Sequence, residues 1–205
     1  MAEQVLVDVS VLRTSPLAHL ASALEQGSVA GERGVTLREI AFTTQIGVRA
    51  EPGTEAHAAL ASATGVGLPA AVGQVAGGVE GTAVLWSGPD EFLVVAPEGT
   101  ELLGDLNEAL GQAPGQVVDL SANRTVIELS GPSARLVLEK GCPADLHPRS
   151  FGVGTAITTA LGPVPVLLWK TAADTFRLLP RASFADYTTR WLLDAMTEFA
   201  SPPVD

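Results

Sequence analysis

The 205-residue sequence predicts an α+β fold with two β-α-β-β-α repeats, whose paired sheets are covered by helices, and an N-terminal arm. The first observation behind this prediction is the order of elements in residues 117–195, where strand-like and helix-like runs are separated by turn signals. The second is that the same order occurs earlier in the chain, with one matched tryptophan-to-proline spacing.

The N-terminal arm is predicted from residues 1–14, in which valines alternate with other residues as in an extended segment. Ser15-Pro16 then begins a short helix, since proline suits the first helical position. The arm offers apolar side chains to both sides and needs an acceptor for its backbone. We therefore expect it to pack either on the chain's own sheet or on a partner surface.

The first repeat begins with a strand at Gln45–Arg49, and Glu51–Glu55 opens an alanine-rich helix that runs to Gly65. Three further strands and a second helix follow, at residues 72–79, 82–86, 92–95 and 100–110. The turn at residues 88–90 joins the last two strands.

The second repeat begins with the strand Val126–Leu129, whose run of three apolar residues around one glutamate suits a half-buried position. The turn Ser130–Ser133 opens a helix that ends at Gly141. Strands are predicted at residues 156–161, 164–169 and 175–179, which leaves room for one strand beyond the β-α-β-β-α order. In the closing helix, apolar residues at spacings of 3 and 4 share one face, from Phe184 to Ala195.

An internal duplication is predicted from two tryptophans. Trp86 precedes Pro97 by 11 residues, Trp169 precedes Pro180 by 11, and the tryptophans are 83 residues apart. We therefore divide the chain into an arm and short helix at 1–34, a first repeat at 35–113 and a second repeat at 114–205.

Charge is distributed unevenly and limits the choice of partner. The chain has a formal net charge of −11, all of it from residues 1–120, because residues 121–205 carry eight basic and eight acidic side chains. A polyanion would be repelled, so nucleic acid is not an expected partner. The acidic part is either a solvated face or a surface for a basic partner.

No targeting or membrane-spanning segment is predicted. Glu3 and Asp8 lie where a signal peptide carries positive charge, and no run reaches the roughly 18 apolar residues of a span. The single cysteine allows no internal disulfide, which fits a reducing compartment. We expect a cytoplasmic protein without a membrane partner.

Cys142, Asp145 and His147 form the main cluster of reactive side chains. A Cys-His pair is compatible with a nucleophile and base or with two metal ligands. However, His19 and His57 are remote in sequence, and no ligand spacing is present. The flanking prolines favour a rigid turn in which Asp145 caps backbone amides.

Other candidate residues have structural interpretations. Gly65–Ala70 resembles a dinucleotide fingerprint, but it follows a helix instead of a strand. Asp90 and Glu91 are expected to be solvated turn residues without a partner that shifts their pKa. The three tryptophans, including Trp191, are expected to anchor a core or an interface. The sequence thus predicts no catalytic, cofactor-binding or metal-ligating residue.

Several short segments of the sequence, taken in order, resemble the gamma subunit family of heterotetrameric sarcosine oxidase. The resemblance runs from about residue 15 to 195 and is carried by Ser15–Leu20, Phe42–Gln45, Gly88–Val95, Gly141–Pro148, Pro163–Trp169 and Ser183–Asp194. It implies an aminomethyltransferase-like fold and a non-catalytic subunit of a flavoenzyme that oxidatively demethylates sarcosine to glycine. Formaldehyde or methylene-tetrahydrofolate and hydrogen peroxide are the implied products.

The resemblance also implies partners and cofactors. The alpha subunit is the implied direct partner, with beta and delta subunits in the same complex. FAD, FMN, NAD and zinc are expected in the partner subunits, and none in this chain. The alternative is a free-standing folate-binding protein of the aminomethyltransferase type, which needs a carboxylate for the pterin and a catalytic aspartate that we do not find in the sequence.

Overall fold

The computed structural model describes residues 12–201, which form two antiparallel five-stranded sheets. The strands are β1 Thr36–Ile40, β2 Thr44–Arg49, β3 Val75–Gly77, β4 Ala83–Trp86, β5 Glu91–Ala96, β6 Gln116–Asp119, β7 Val126–Ser130, β8 Ala156–Leu161, β9 Val164–Ala172 and β10 Thr175–Pro180. The first sheet has the order β3-β4-β5-β2-β6, and the second has the order β1-β7-β10-β9-β8.

The five helices cover the outer faces of the sheets. They are α1 Ala21–Gln26, α2 Glu55–Ala63, α3 Leu103–Leu110, α4 Ala134–Glu139 and α5 Ala185–Met196. Leu60 of α2 and Leu106 of α3 pack on the first sheet, whereas α1, α4 and α5 pack on the second. A third core cluster, which includes Leu85, Leu93, Leu167 and Trp169, lies between the sheets. The layers therefore run helix, sheet, sheet, helix, and the predicted α+β class with paired sheets is confirmed.

The order of elements in each half is β-β-α-β-β-β-α, so the predicted repeat lacked strands. Its leading strands, β1 and β6, were both missed. Both lie at sheet edges and bury little: β6 has three exposed residues of four, and only Leu37 of β1 is buried. An edge strand with few buried side chains gives a weak alternation of apolar residues, and this explains the error.

The leading strands are exchanged between the halves. β1 pairs with β7 in the second sheet, and β6 pairs with β2 in the first. The chain crosses from one sheet to the other at residues 41–43 and again at residues 120–125. The division at 113/114 stays a prediction, and each sheet contains one strand from the other side of it.

The two tryptophans lie on corresponding strands but not at equivalent positions. Trp86 of β4 is opposite Phe92 and packs toward the helices of the first sheet. Trp169 of β9 is opposite Arg177 and points between the sheets, where Leu85 lies in the first sheet. Because adjacent strand residues face opposite ways, a shift of one residue reverses the side chain. The correspondence of strands is confirmed, and the equivalence of the tryptophans is wrong by one residue.

The first helix begins several residues later in the structure than the predicted start at Ser15-Pro16. A 3-10 turn covers Ala18–Leu20 before α1 begins, and Leu17, Leu20 and Leu24 are buried together, as their spacing predicts. Most of the predicted arm, residues 1–11, lies outside the described residues.

Candidate functional site

The turn that contains Cys142, Asp145 and His147 follows α4. Asp145 accepts hydrogen bonds from the His147 backbone N–H at 2.9 Å and from the Ser150 hydroxyl at 2.7 Å. These donors hold the pKa of Asp145 below its usual range, the Ser150 hydroxyl contributing most. The predicted role of Asp145 as a cap of the turn is confirmed.

Cys142 and His147 have separate partners. The Cys142 Sγ lies 3.8 Å from the Thr159 hydroxyl, and His147 Nδ1 accepts from the Arg149 backbone N–H at 3.2 Å. In residues 12–201 no hydrogen bond joins this cysteine to this histidine. The arrangement gives the thiol no adjacent base.

Asp90 and Glu91 have a partner that the sequence analysis did not predict, because Arg49 contacts both. Arg49 Nε donates to Asp90 at 2.8 Å, and an Nη atom lies 3.0 Å from Glu91. The hydrogen bond from Arg49 lowers the pKa of Asp90. Arg49 is 41 residues away in sequence and reaches the turn because β2 pairs with β5. Both carboxylates are partly solvated, as expected, but the expectation that no partner shifts a pKa was wrong for Asp90.

The tryptophans act as packing residues, as predicted. Trp169 is 2% exposed, and Trp86 and Trp191 are partly buried against core clusters. Trp191 lies over Gly141, where an added Cβ would be 2.6 Å from the indole ring. Gly141 is thus required by a close approach of the ring.

Gly65–Ala70 follows α2 directly, so its glycines have no place in a strand-to-helix phosphate loop.

A ladder of charges crosses the second sheet, and sequence reasoning missed it. Glu128 on β7 lies directly between Arg38 on β1 and Arg177 on β10. It accepts from Arg38 Nε at 2.7 Å and from Arg177 Nε at 3.1 Å, and Arg177 also lies over the Trp169 ring. The one available signal was a glutamate inside the apolar run Val126–Leu129.

A cavity of about 380 Å³ lies where the two crossovers meet, and we call it the crossover cavity. Its walls include Ile40, Phe42, Thr43, Ser121, Arg124 and Thr125. Phe42 has a φ of +57°, and in residues 12–201 it alone among non-glycine residues has a positive φ. Such a backbone is uncommon for a bulky side chain and points to a local functional or structural constraint.

Among residues 12–201, no three His, Cys, Asp or Glu side chains are grouped so as to hold a metal ion. None of the helices in this part of the chain has the length and apolar character needed to cross a bilayer.

The two-sheet architecture is that of the aminomethyltransferase class of folds. The chain superimposes on aminomethyltransferase T of the glycine cleavage system from Bartonella henselae with a TM-score of 0.63. That match has 18% identity and covers 89% of this chain and 57% of the other. At this identity the likeness shows the fold alone.

The particular family follows from closer relatives. The model of the sarcosine oxidase, gamma subunit family matches residues 47–198. The sarcosine oxidase gamma subunits of Corynebacterium sp. strain U-96 and of Arthrobacter sp. are 64% and 63% identical to this chain over 204 residues, and each match covers 100% of both chains. A chain of the heterotetrameric sarcosine oxidase from Corynebacterium sp. U-96, in complex with pyrrole 2-carboxylate, matches with a TM-score of 0.93 and 66% identity, over 95% of this chain and 100% of that one. This chain belongs to the sarcosine oxidase gamma subunit family.

Proposed function

We propose that this chain is the gamma subunit of a heterotetrameric sarcosine oxidase and that its role there is structural. The observation that carries the proposal is the end-to-end match with a chain of such a heterotetramer, at 66% identity and a TM-score of 0.93. A match over 95% of this chain and 100% of the other favours the same place in the same assembly, since the two chains share nearly all of their fold.

The complex would oxidise sarcosine to glycine. In the proposed reaction, two electrons and two protons leave the methyl C–N bond of sarcosine, water releases formaldehyde from the resulting imine, and dioxygen is reduced to hydrogen peroxide. When tetrahydrofolate accepts the one-carbon unit, methylene-tetrahydrofolate replaces formaldehyde. We assign FAD, FMN, NAD and zinc to the partner subunits, and the separate partners of Cys142 and His147 support a non-catalytic role for this chain.

The partners in this proposal are the alpha subunit, in direct contact, and the beta and delta subunits elsewhere in the complex. The net charge of −11 from residues 1–120 supports a basic patch on the surface that receives the chain. The proposed location is the cytoplasm, which the single cysteine, Cys142, supports.

Co-expression of the four subunits with an affinity tag on this chain tests the proposal. We expect a yellow complex of four subunits with sarcosine oxidase activity. The matched control omits the gene for this chain and tags the alpha subunit, and it is expected to yield less assembled complex. Recovery of the tagged chain alone and colourless, with full assembly and turnover in its absence, would contradict the proposal.

A further inference from the structure

The outer edge of β1 is open to a further strand. β1, Thr36–Ile40, is the terminal strand of the second sheet, and among the strands of residues 12–201 it pairs with β7 alone. Its outer side therefore presents backbone N–H and C=O groups that have no strand partner in this part of the chain. The edge strands β3 and β8 differ, because the two sheets meet there at an isolated bridge between Gly73 and Ala156.

A groove of about 520 Å³ lies between β1 and α1, and we call it the β1 groove. Residues 36–39 line one wall, and the opposite wall includes Ala18, Ala21 and Glu25. Ala18 and Ala21 are exposed and have small side chains, which leaves space between the helix and the strand. An open strand edge and a groove that follows it therefore coincide at β1.

The edge strand β6 lacks this combination. A cavity that touches Gln116 and Val118 of β6 extends across the neighbouring strands β2 and β5, where its walls include Gly47 and Leu93. A molecule in that cavity would lie on the face of the first sheet and not along its edge. The β1 groove is thus better placed to receive an extended segment of chain.

Glu25 is the charge of the β1 groove that has no ion-pair partner. Within the described residues, no lysine or arginine nitrogen lies within 4.0 Å of its exposed carboxylate. The Glu39 carboxylate instead accepts from the Ser15 hydroxyl at 2.6 Å and from the Leu17 backbone N–H at 3.3 Å. Arg38 is paired with the glutamate of β7. The groove therefore favours a basic side chain in its occupant, as does the net charge of −11 carried by the first 120 residues.

We propose that the β1 groove receives an extended segment of a neighbouring subunit, which adds a strand to β1 and places a basic side chain beside Glu25. The inference rests on the proposed function, since it requires a complex that contains this chain. In such strand addition, main-chain hydrogen bonds supply affinity and every second side chain enters the groove. The small side chains of Ala18 and Ala21 leave room for those that face the helix.

Two substitutions on the groove wall test the proposal in the co-expressed complex. Ala21→Phe fills the groove, and Glu25→Lys places a positive charge where a basic side chain is expected. Each is expected to lower the amount of this chain recovered with a tagged alpha subunit by about tenfold or more, because steric exclusion or like-charge repulsion weakens binding.

Matched controls lie outside the groove at exposed positions. Ser22→Phe adds the same ring next to Ala21, and Glu32→Lys makes the same change of charge. Both are expected to assemble as the wild type does. Thermal melting of each pair separates lost binding from lost folding, and Glu25→Lys keeps the test decisive if Ala21→Phe fails to fold. Equal recovery of the groove variants and their controls would overturn the proposal.

Hydrogen exchange at the amides of residues 36–40 identifies the occupant. The outward-facing amides are expected to exchange rapidly in the full chain alone and about tenfold or more slowly in the complex. Slow exchange in the chain alone would overturn the proposal. If deletion of residues 2–11 then restores rapid exchange, the chain's own N-terminal segment is the occupant, and if dilution restores it, the occupant is a second copy. Wild-type assembly and turnover of both groove variants would reject the docking site and leave the proposed function intact.

Discussion

Arg177 donates to the Glu128 carboxylate at 3.1 Å from the directly opposed position on the neighbouring strand β10. Arg38 approaches the other carboxylate oxygen from β1, so one acid serves two arginines on adjacent strands. The three side chains differ in exposure: 8% for Glu128, 13% for Arg177 and 68% for Arg38. The inner pair is therefore shielded from water, and the outer pair is not.

Glu128→Ala is expected to destabilise the fold more than Arg38→Ala. Removing the acid leaves Arg177, whose side chain is 13% exposed, without its partner, which costs about 3 kcal/mol. Removing the exposed Arg38 costs about 1 kcal/mol or less, because water replaces it. Urea unfolding of both variants measures the difference, and equal losses would show that the burial of the inner pair adds nothing.

Cys142→Ser and His147→Ala are expected to leave turnover per assembled complex within a few-fold of the wild type. No hydrogen bond joins the two side chains in the described part of the chain, and each has a separate structural partner. Steady-state turnover is measured after gel filtration, so that incomplete assembly is corrected for. A loss on the order of 1000-fold in fully assembled complex would instead indicate a nucleophile or a base.

Asp145→Asn is expected to change the pH dependence of stability at the acidic end. The pKa of Asp145 is lowered in the folded state, so its contribution is present above the pKa of an unfolded aspartate, about 3.9, and is lost as the pH falls through the lower folded value. The Tm difference between wild type and Asp145→Asn should therefore be constant near neutral pH and shrink below about pH 4.

Ser150→Ala is the companion variant for this test. It removes the largest cause of the lowered pKa and should move the acidic loss of stability toward higher pH. Thermal melts between pH 2 and pH 7, an interval chosen to bracket the ordinary aspartate pKa of about 3.9, provide both curves. A Tm difference that stays constant across that range would show that the Asp145 contacts do not favour the charged form.

Gly141→Ala and Gly104→Ala form a matched pair. An added Cβ at Gly141 would lie 2.6 Å from the Trp191 ring and 3.2 Å from the Gly162 nitrogen, whereas at Gly104 it would meet open space among residues 12–201. The first substitution is expected to cost about 1–3 kcal/mol through overpacking. The second, at an exposed position of α3, is expected to stabilise by about 0.5–1 kcal/mol, because alanine restricts the unfolded chain. The free energies of unfolding of the two variants test both expectations. An unchanged free energy of unfolding in Gly141→Ala would mean that the indole moves aside freely.

The buried strands were predictable because their side-chain patterns are local. β5 and β7 appear as apolar runs, since most of their residues are buried. The predicted face of α5 was wrong in part, because Phe184 and Tyr187 are exposed. The helix buries Ala185, Thr188, Thr189, Leu192, Ala195 and Met196, a face whose two threonines weaken its apolar pattern. The capping role of Asp145 was also predictable, because its partners lie within five residues. These features depend on neighbours in sequence, which the sequence displays directly.

The tertiary structure alone decided the exchange of β1 and β6 and the contacts that depend on it. Only residues 41–43 separate β1 from β2, a connection that also suits a hairpin within one sheet, so local pattern does not distinguish the two pairings. The partners of Glu128 and the walls of the crossover cavity depend on that pairing. The sequence by itself determined which segments bury apolar surface; strand pairing decided which charges meet, because a residue on an extended strand contacts whatever strand lies beside it, regardless of its distance along the chain.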